Sequence, residues 1–160
     1  MADREKAIES AIAQFEQAIA VDGTYAPAHA AMGLAYATGF QWKNRGKDWL
    51  DKSKAECERA LAINPQLAEG HACLGNVFFL SGHYEDAVQQ FESSLDLDHT
   101  SDETLRLLAA GYEKQGKIPD AEAAYRKAIA MRPNYWGVYN AFGTFYFDQA
   151  RYAEAEEMFR

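Results

Sequence analysis

The sequence predicts an all-α fold built from tandem pairs of helices. Three observations support this prediction: an interval of 34 residues that recurs along the chain, apolar side chains spaced three or four residues apart, and glycine or proline between the apolar segments. Spacing of three and four residues puts side chains on one face of an α-helix. A fixed period of this length indicates a repeat architecture. The 160 residues are therefore expected to form a short array rather than one central core.

The 34-residue interval appears in six columns of similar residues. Pro65 and Pro133 also lie 68 residues apart, which is twice the interval. The columns are Leu74-Gly75, Leu108-Ala109 and Phe142-Gly143; Phe78, Tyr112 and Tyr146; Ala87, Ala121 and Ala155; Phe91, Tyr125 and Phe159; Tyr84, Ile118 and Tyr152; and Gly82, Gly116 and Ala150. Because the columns keep one interval independently of one another, coincidence is excluded.

Each unit is predicted to contain a helix, a tight turn, a second helix and a short loop. Gly82 and Gly116 interrupt the apolar pattern near the middle of their units and supply a helix C-terminus. Pro65 and Pro133 end the second helix, because proline disfavours helical geometry in the residue before it. No Asn-Gly or Asp-Gly turn separates alternating strands, so the pattern contains no β-hairpin signal.

This pattern resembles the tetratricopeptide repeat. That family carries Leu-Gly and Tyr on the first helix of its unit, and Ala, an aromatic residue and Ala on the second, followed by Pro. The matching residues are Leu74, Gly75, Phe78, Ala87, Phe91 and Ser94; then Leu108, Ala109, Tyr112, Ala121, Tyr125, Ala128 and Pro133; then Tyr139, Phe142, Gly143, Tyr146, Ala155 and Phe159. The resemblance implies a right-handed α-solenoid of antiparallel helix pairs, whose first helices line a concave groove.

The expected boundaries follow from this comparison. Residues 1–25 match only a second helix, 26–67 a repeat with about eight extra residues near 39–47, 68–101 and 102–135 complete repeats, and 136–160 a first helix with part of a second. The extra residues are expected to form a long loop between the two helices. Because the matches begin and end within a repeat, the chain is expected to be a piece of a longer protein. The loop resembles those of repeat arrays in large bacterial regulatory proteins, which accompany kinase, cyclase or DNA-binding domains.

Composition excludes several classes of protein. The net charge of −8 disfavours binding to a phosphate backbone, and the aromatic content of 13% argues against disorder. No apolar run is long enough to cross a bilayer, and the N-terminus lacks the apolar core of a signal peptide. Two cysteines are too few for a disulfide scaffold. Cys57, which is expected to lie in the core, and Cys73 are both expected to be unpaired. Unpaired cysteines favour a reducing, cytoplasmic compartment.

No constellation of residues predicts catalysis, a metal or a cofactor. His29 and His71 occupy equivalent positions on first helices, where a structural role is expected because no ligand set converges on them. Cys73 and His71 are two residues apart, so they point in different directions on a helix and do not form a nucleophilic pair. The sequence therefore predicts a non-catalytic protein.

The leading prediction is an interaction scaffold that binds a peptide or helix of a partner in its groove. Small, polar and aromatic residues at steps of three and four on the first helices are expected to face it, and arginine and aromatic residues are common interface anchors. These candidates are Leu34, Glu69, Asn76, Phe79, Arg106, Glu113, Asn140, Thr144 and Phe147. The alternative for Phe79 and Phe147 is packing between helices.

Three further predictions concern the partner. Some family members clamp a C-terminal carboxylate with Lys and Asn residues, but Ala30, Leu34 and Cys73 stand at those positions, so a chaperone-tail ligand is not supported. Self-assembly through unfinished repeat ends is the alternative function. Nucleic-acid or acidic-peptide binding through the basic, tryptophan-containing segment is disfavoured by the net charge and by burial of the tryptophans. The candidates in that segment are Trp42, Lys43, Arg45 and Lys47.

Overall fold

The protein, in a computed structural model that describes residues 2–43 and 46–160, is entirely helical over that part of the chain. Apolar side chains recur every three or four residues along the helices, as expected for helices with one buried face. They are α1 (Ala2–Val21), α2 (Ala26–Lys43), α3 (Lys47–Ile63), α4 (Ala68–Leu80), α5 (Tyr84–Leu97), α6 (Asp102–Lys114), α7 (Ile118–Met131), α8 (Trp136–Asp148) and α9 (Tyr152–Phe159). The predicted all-α class is confirmed.

The helices pack as repeat units within two compact parts of the chain, unit 1 (Met1–Leu97) and unit 2 (Asp98–Arg160). The pairs α2–α3, α4–α5, α6–α7 and α8–α9 each pack along their length. The first helices of successive pairs also pack together, α2 on α4 in unit 1 and α6 on α8 in unit 2. Within the described part of unit 1, the second helices α3 and α5 do not pack on each other. The first helices therefore form the inner face of each unit.

The tight turns between paired helices repeat the same left-handed backbone conformation every 34 residues. Gly82 and Gly116 have φ values of 79° and 72°. The amide of Gly82 donates to the carbonyl of Phe79, and the next amide donates to that of Phe78, as in a Schellman C-cap. Ala150 holds the third equivalent position with φ 57°, although alanine pays a steric penalty there. The glycine pattern predicted the position of these tight turns at the C-termini of the first helices.

The eight extra residues of the first complete repeat do not form a long loop, so that prediction is wrong. Helix α2 has 18 residues where α4, α6 and α8 have 13, and α3 has 17 where α5 and α7 have 14. The additions of five and three residues account for all eight. The half-buried ring of Trp49 lies directly against Gly39 and edge-on to Tyr36, with ring centroids 5.4 Å apart. Packing of this ring favours helix over loop.

The two cysteines are joined, which corrects the expectation that they are unpaired. A disulfide links Cys57 on α3 to Cys73 on α4, with Cα atoms 5.6 Å apart. Both residues are fully buried, so the prediction that Cys57 lies in the core is confirmed. The inference of a reducing compartment rested on free cysteines and therefore loses its basis.

The core of unit 2 is built from aromatic rings. Tyr125 on α7 stacks on Phe142 of α8 with centroids 5.1 Å apart and ring planes 22° from parallel. Phe142 also contacts Tyr146, one turn later on its own helix, with ring centroids 4.3 Å apart. Small residues such as Ala109 and Ala121, both fully buried, allow the helix backbones to approach closely enough for these contacts.

Candidate functional site

The predicted groove residues of unit 1 lie on α2 and α4 but differ in accessibility. Glu69 is exposed, whereas Leu34 is half-buried against the cluster of apolar residues around the disulfide. Asn76 is only 9% exposed, and its Oδ1 atom has no hydrogen-bond partner among the described residues. Phe79 is half-buried and packs edge-on against Tyr84 at the start of α5, at 5.5 Å between centroids. Apart from Glu69, the predicted residues on this inner face are closed off by their own packing.

In unit 2, Arg106 is held by a neighbour on its own helix. Its Nε atom donates to Oε2 of Glu103 at 3.1 Å, and Nη2 donates to Oε1 at 2.5 Å. Burial by itself lowers the pKa of Arg106, but the hydrogen bonds to Glu103 and the electrostatic interactions with Glu103, Tyr125 and Tyr135 together outweigh it, so the pKa is raised. A partner carboxylate would therefore compete with Glu103 for a guanidinium that is already oriented.

Glu113 lies two turns further along α6. Its side chain is half-buried, in surroundings that disfavour the charged form of the carboxylate. Burial raises its pKa above the ordinary value, and the negative charge of Asp148 on α8 raises it further. Lys114 and a hydrogen bond from the Tyr125 hydroxyl act in the opposite direction without cancelling the shift. A positively charged group of a partner would stabilise the charged form of Glu113.

Helix α8 presents the most accessible part of the inner face. Asn140 and Thr144 are exposed, and Phe147 is 58% exposed, while the opposite face of the helix is buried. The Thr144 hydroxyl donates to the carbonyl of Asn140 at 2.9 Å. The predicted alternative of burial between helices does not describe Phe147, whose ring meets only the edge of exposed Tyr152 in the described contacts.

The sequence reasoning missed Trp136, which continues this row. It is 73% exposed and lies four residues before Asn140, at the start of α8. The spacing of four residues between Trp136 and Asn140, which places both on one helix face, is the signal in the sequence that identifies Trp136. The residues Trp136, Asn140, Thr144 and Phe147 are called the α8 stripe below. A cavity of about 400 Å³ beside the stripe is lined by Trp136 and Asn140 together with Phe159 of α9.

The basic, tryptophan-containing segment is divided between packed and exposed residues. Trp49 packs within the α2–α3 pair, as expected for a buried tryptophan, whereas Trp42 is 60% exposed. Lys47 is exposed at the start of α3. The Lys43 side chain and Arg45 lie outside the described residues.

The described part of the chain also bears on metal binding and on membrane insertion. It contains no group of three or more His, Cys, Asp or Glu placed to bind a metal ion. None of its helices combines the length and apolar character that crossing a membrane requires.

Comparison with known proteins points to one repeat family. A family model described as "Tetratricopeptide repeat" matches residues 106–160. Hsp70-Hsp90 organizing protein 3 of Arabidopsis thaliana is 26% identical over 110 residues, which is 69% of this chain and 20% of that protein. The chain thus spans about a fifth of the length of this relative.

Solved structures share the fold over almost the whole chain. The thermophilic tetratricopeptide-repeat protein TTC0263 of Thermus thermophilus superposes with a TM-score of 0.73 at 23% identity, covering 95% of this chain and 74% of its own. PilF of Pseudomonas aeruginosa has a TM-score of 0.74 at 19% identity, covering 97% and 67%. MamA of Desulfovibrio magneticus RS-1 has a TM-score of 0.72 at 16% identity, covering 98% and 84%. The described residues therefore have the fold of tetratricopeptide-repeat proteins, and residues 106–160 also match the model of that family.

Proposed function

We propose that this protein binds a segment of a partner protein on the inner face of unit 2. Tetratricopeptide-repeat proteins are protein-interaction scaffolds in general. The observation that carries the finer proposal is the α8 stripe, in which two exposed aromatic side chains flank two exposed polar ones. Exposed aromatic residues next to hydrogen-bonding groups are typical anchors of an interface.

The charges around the stripe favour a partner segment that contains a basic side chain. Glu113 and Asp148 lie near each other across α6 and α8, and the pKa of Glu113 is raised because its burial and the charge of Asp148 disfavour ionisation. A lysine or arginine of the partner placed between them would make the charged form favourable. Arg106, held by Glu103, offers a second contact for a carboxylate of the same segment.

The function named for the Arabidopsis relative extends to this chain only as a general scaffold role. Ala30 and Cys73 stand where the carboxylate clamp of chaperone-binding family members has polar side chains, and both are fully buried. Cys73 is in addition bonded to Cys57. The proposed ligand is therefore an internal basic segment rather than a chaperone C-terminus.

The test is selection from a random peptide library on the immobilised full chain, followed by affinity measurements in solution on the selected peptides. Arg106→Glu and Asn140→Ala are each expected to weaken binding at least about tenfold with unchanged helical circular dichroism. Lys127→Glu, a matched charge reversal on the exposed side of the second helix α7, should leave the affinity unchanged. Equal affinities for all variants, or equal losses in Lys127→Glu, would overturn the proposal.

A further inference from the structure

The disulfide occupies a place that an aromatic ring fills in the other repeats. Cys57 belongs to the column that holds Phe91, Tyr125 and Phe159 in later repeats. In the second complete repeat, a Cβ atom added to Gly75 would lie 2.7 Å from the ring of Phe91. The glycine and the ring are therefore in direct contact, and the absence of a side chain at the glycine is what admits the ring.

Gly33 has the same relationship to the two sulfur atoms. A Cβ atom added there would lie 2.6 Å from Sγ of Cys73 and 2.9 Å from Sγ of Cys57. The disulfide thus rests on the backbone of α2 as the Phe91 ring rests on that of α4. Cys57 is too small to fill the aromatic position by itself, and the second sulfur completes the contact.

The bond also joins two successive repeats. Cys57 lies on the second helix of residues 26–67, and Cys73 lies on the first helix of residues 68–101. The surrounding cluster of Val77, Leu34 and Leu50 excludes water from both sulfur atoms. In repeat arrays, stability is approximately a sum of the stabilities of the repeats and of the interfaces between neighbours. A covalent bond across one interface therefore acts on unit 1 as a whole.

We infer that the Cys57–Cys73 pair is a redox-responsive clasp that sets the stability of unit 1. A dithiol reductant opens it by attack of a thiolate on one sulfur and cleavage of the S–S bond. The second reductant thiol then displaces the first to form the reductant's own disulfide, leaving two protonated cysteine thiols. Each sulfur then has to keep a non-bonded separation of roughly 3.5–4 Å from the other. Gly33 leaves no free space on one side, so α3 and α4 must separate.

The expected effect is large and confined to one part of the chain. The two cysteines are 16 positions apart in the sequence. A disulfide that closes a loop of this length changes the unfolding equilibrium constant by roughly 100-fold. Both cysteines of the protein lie in unit 1, so unit 2 provides an internal reference. Because the sulfur atoms are fully buried, the reductant reaches them only when α3 and α4 open transiently.

The test compares the full chain with and without dithiothreitol. Peptide mass mapping of the untreated protein should find Cys57 linked to Cys73, and reduction should release two thiols that react after unfolding. Urea unfolding should then show a roughly 100-fold larger unfolding constant, with hydrogen exchange faster in residues 26–97 and unchanged in 98–160. Free thiols in the untreated protein, or equal unfolding constants in both states, would contradict the inference.

Two variants separate the clasp from other effects of the reductant. The double variant Cys57→Ala/Cys73→Ala should be insensitive to dithiothreitol, and a remaining response would overturn the inference. The double variant Cys57→Phe/Cys73→Ala restores the ring that the later repeats have at this position. It should fold and be equally insensitive to dithiothreitol, so the comparison stands even if the alanine variant is too unstable to measure.

Discussion

The Nδ1 atom of His29 lies 2.7 Å from Oε2 of Glu56, and this contact ties the first helix of a repeat to the second. The other ring nitrogen lies 3.3 Å from the carbonyl oxygen of Gly23 in the preceding loop. His71 repeats the arrangement, with Nδ1 2.8 Å from Oε1 of Gln90 and Nε2 3.0 Å from a loop carbonyl. Each imidazole therefore connects two helices and a loop, which is the structural role expected from the sequence.

Replacing this imidazole should destabilise the protein measurably. His29→Ala is expected to lower the free energy of unfolding by about 2 kcal/mol, because the Glu56 carboxylate loses its buried partner. Glu56→Gln should cost less than about 1 kcal/mol, because glutamine reproduces the amide–imidazole pair of the next repeat. Urea unfolding followed by circular dichroism gives both values. The exposed His83→Ala variant is the control, and an equal loss there would refute the assignment.

Glu122 on α7 should make unit 2 sensitive to acid. Arg151 donates from Nη1 to its Oε2 at 2.9 Å, and the Tyr146 hydroxyl donates to its Oε1 at 2.9 Å. The hydrogen bond from Arg151 is the main reason that the pKa of Glu122 lies below its ordinary value. The stabilisation is therefore complete above the unfolded-state pKa near 4.5 and is lost as the pH falls through the lower, folded-state pKa.

The measurement is the melting temperature of the wild type and Glu122→Gln as a function of pH. At pH 7 the variant is expected to be less stable by about 2 kcal/mol, because it lacks the charge-assisted hydrogen bonds. The two curves should converge in acid as Glu122 of the wild type becomes protonated. Glu156→Gln, which removes an exposed partner of Arg160, should follow the wild type. Parallel curves at all pH values would contradict the prediction.

Ala150 is the position where a single substitution should stabilise the fold. Ala150→Gly removes the steric penalty of a positive φ and is expected to add about 1 kcal/mol to the free energy of unfolding. Gly116→Ala, the same exchange reversed in the preceding repeat, should subtract a similar amount. Ala123→Gly, at an exposed position in the interior of α7, serves as a control of opposite sign, since glycine weakens a helix interior. A destabilised Ala150→Gly variant would refute this account.

The helical extension of the first complete repeat should depend on one of its two tryptophans. Trp49→Ala is expected to cost about 2 kcal/mol, because the ring fills the space above Gly39 between α2 and α3. Trp42→Ala removes a ring that is 60% exposed and should cost less than about 1 kcal/mol. Denaturant unfolding compares the two directly. A larger loss from Trp42→Ala would show that the extension is packed differently.

The helix pairs and their turns were predictable because they depend on local chemistry. The positions of Gly82 and Gly116 predicted tight turns at the ends of first helices, and the prolines predicted where second helices end. The disulfide was not predicted, because Cys57 and Cys73 are 16 positions apart in the sequence and only the packing of α3 on α4 brings them together. Their columns carried a signal: a cysteine in an aromatic column, facing a glycine, leaves a volume for a second sulfur.

The site was predicted less completely than the fold. Helical spacing placed Asn140, Thr144 and Phe147 on one face of α8, and all three side chains are exposed there. The same spacing placed Asn76 on an inner face, where packing of α2 on α4 buries it. Burial depends on the distance between neighbouring helices, which a single repeat does not specify. Self-association stays a prediction, for which light scattering over a dilution series is the measurement.

The lengthened α2–α3 pair shows where this architecture accepts added length. Its extra residues extend the ends of two helices that contact each other, while Gly33 and Cys57 keep the positions that face the next repeat. Growth in this direction leaves every downstream unit on its 34-residue spacing. The far end of a helix pair is thus a natural grafting point, at which a fluorophore-binding sequence or an epitope tag could be inserted without disturbing the array.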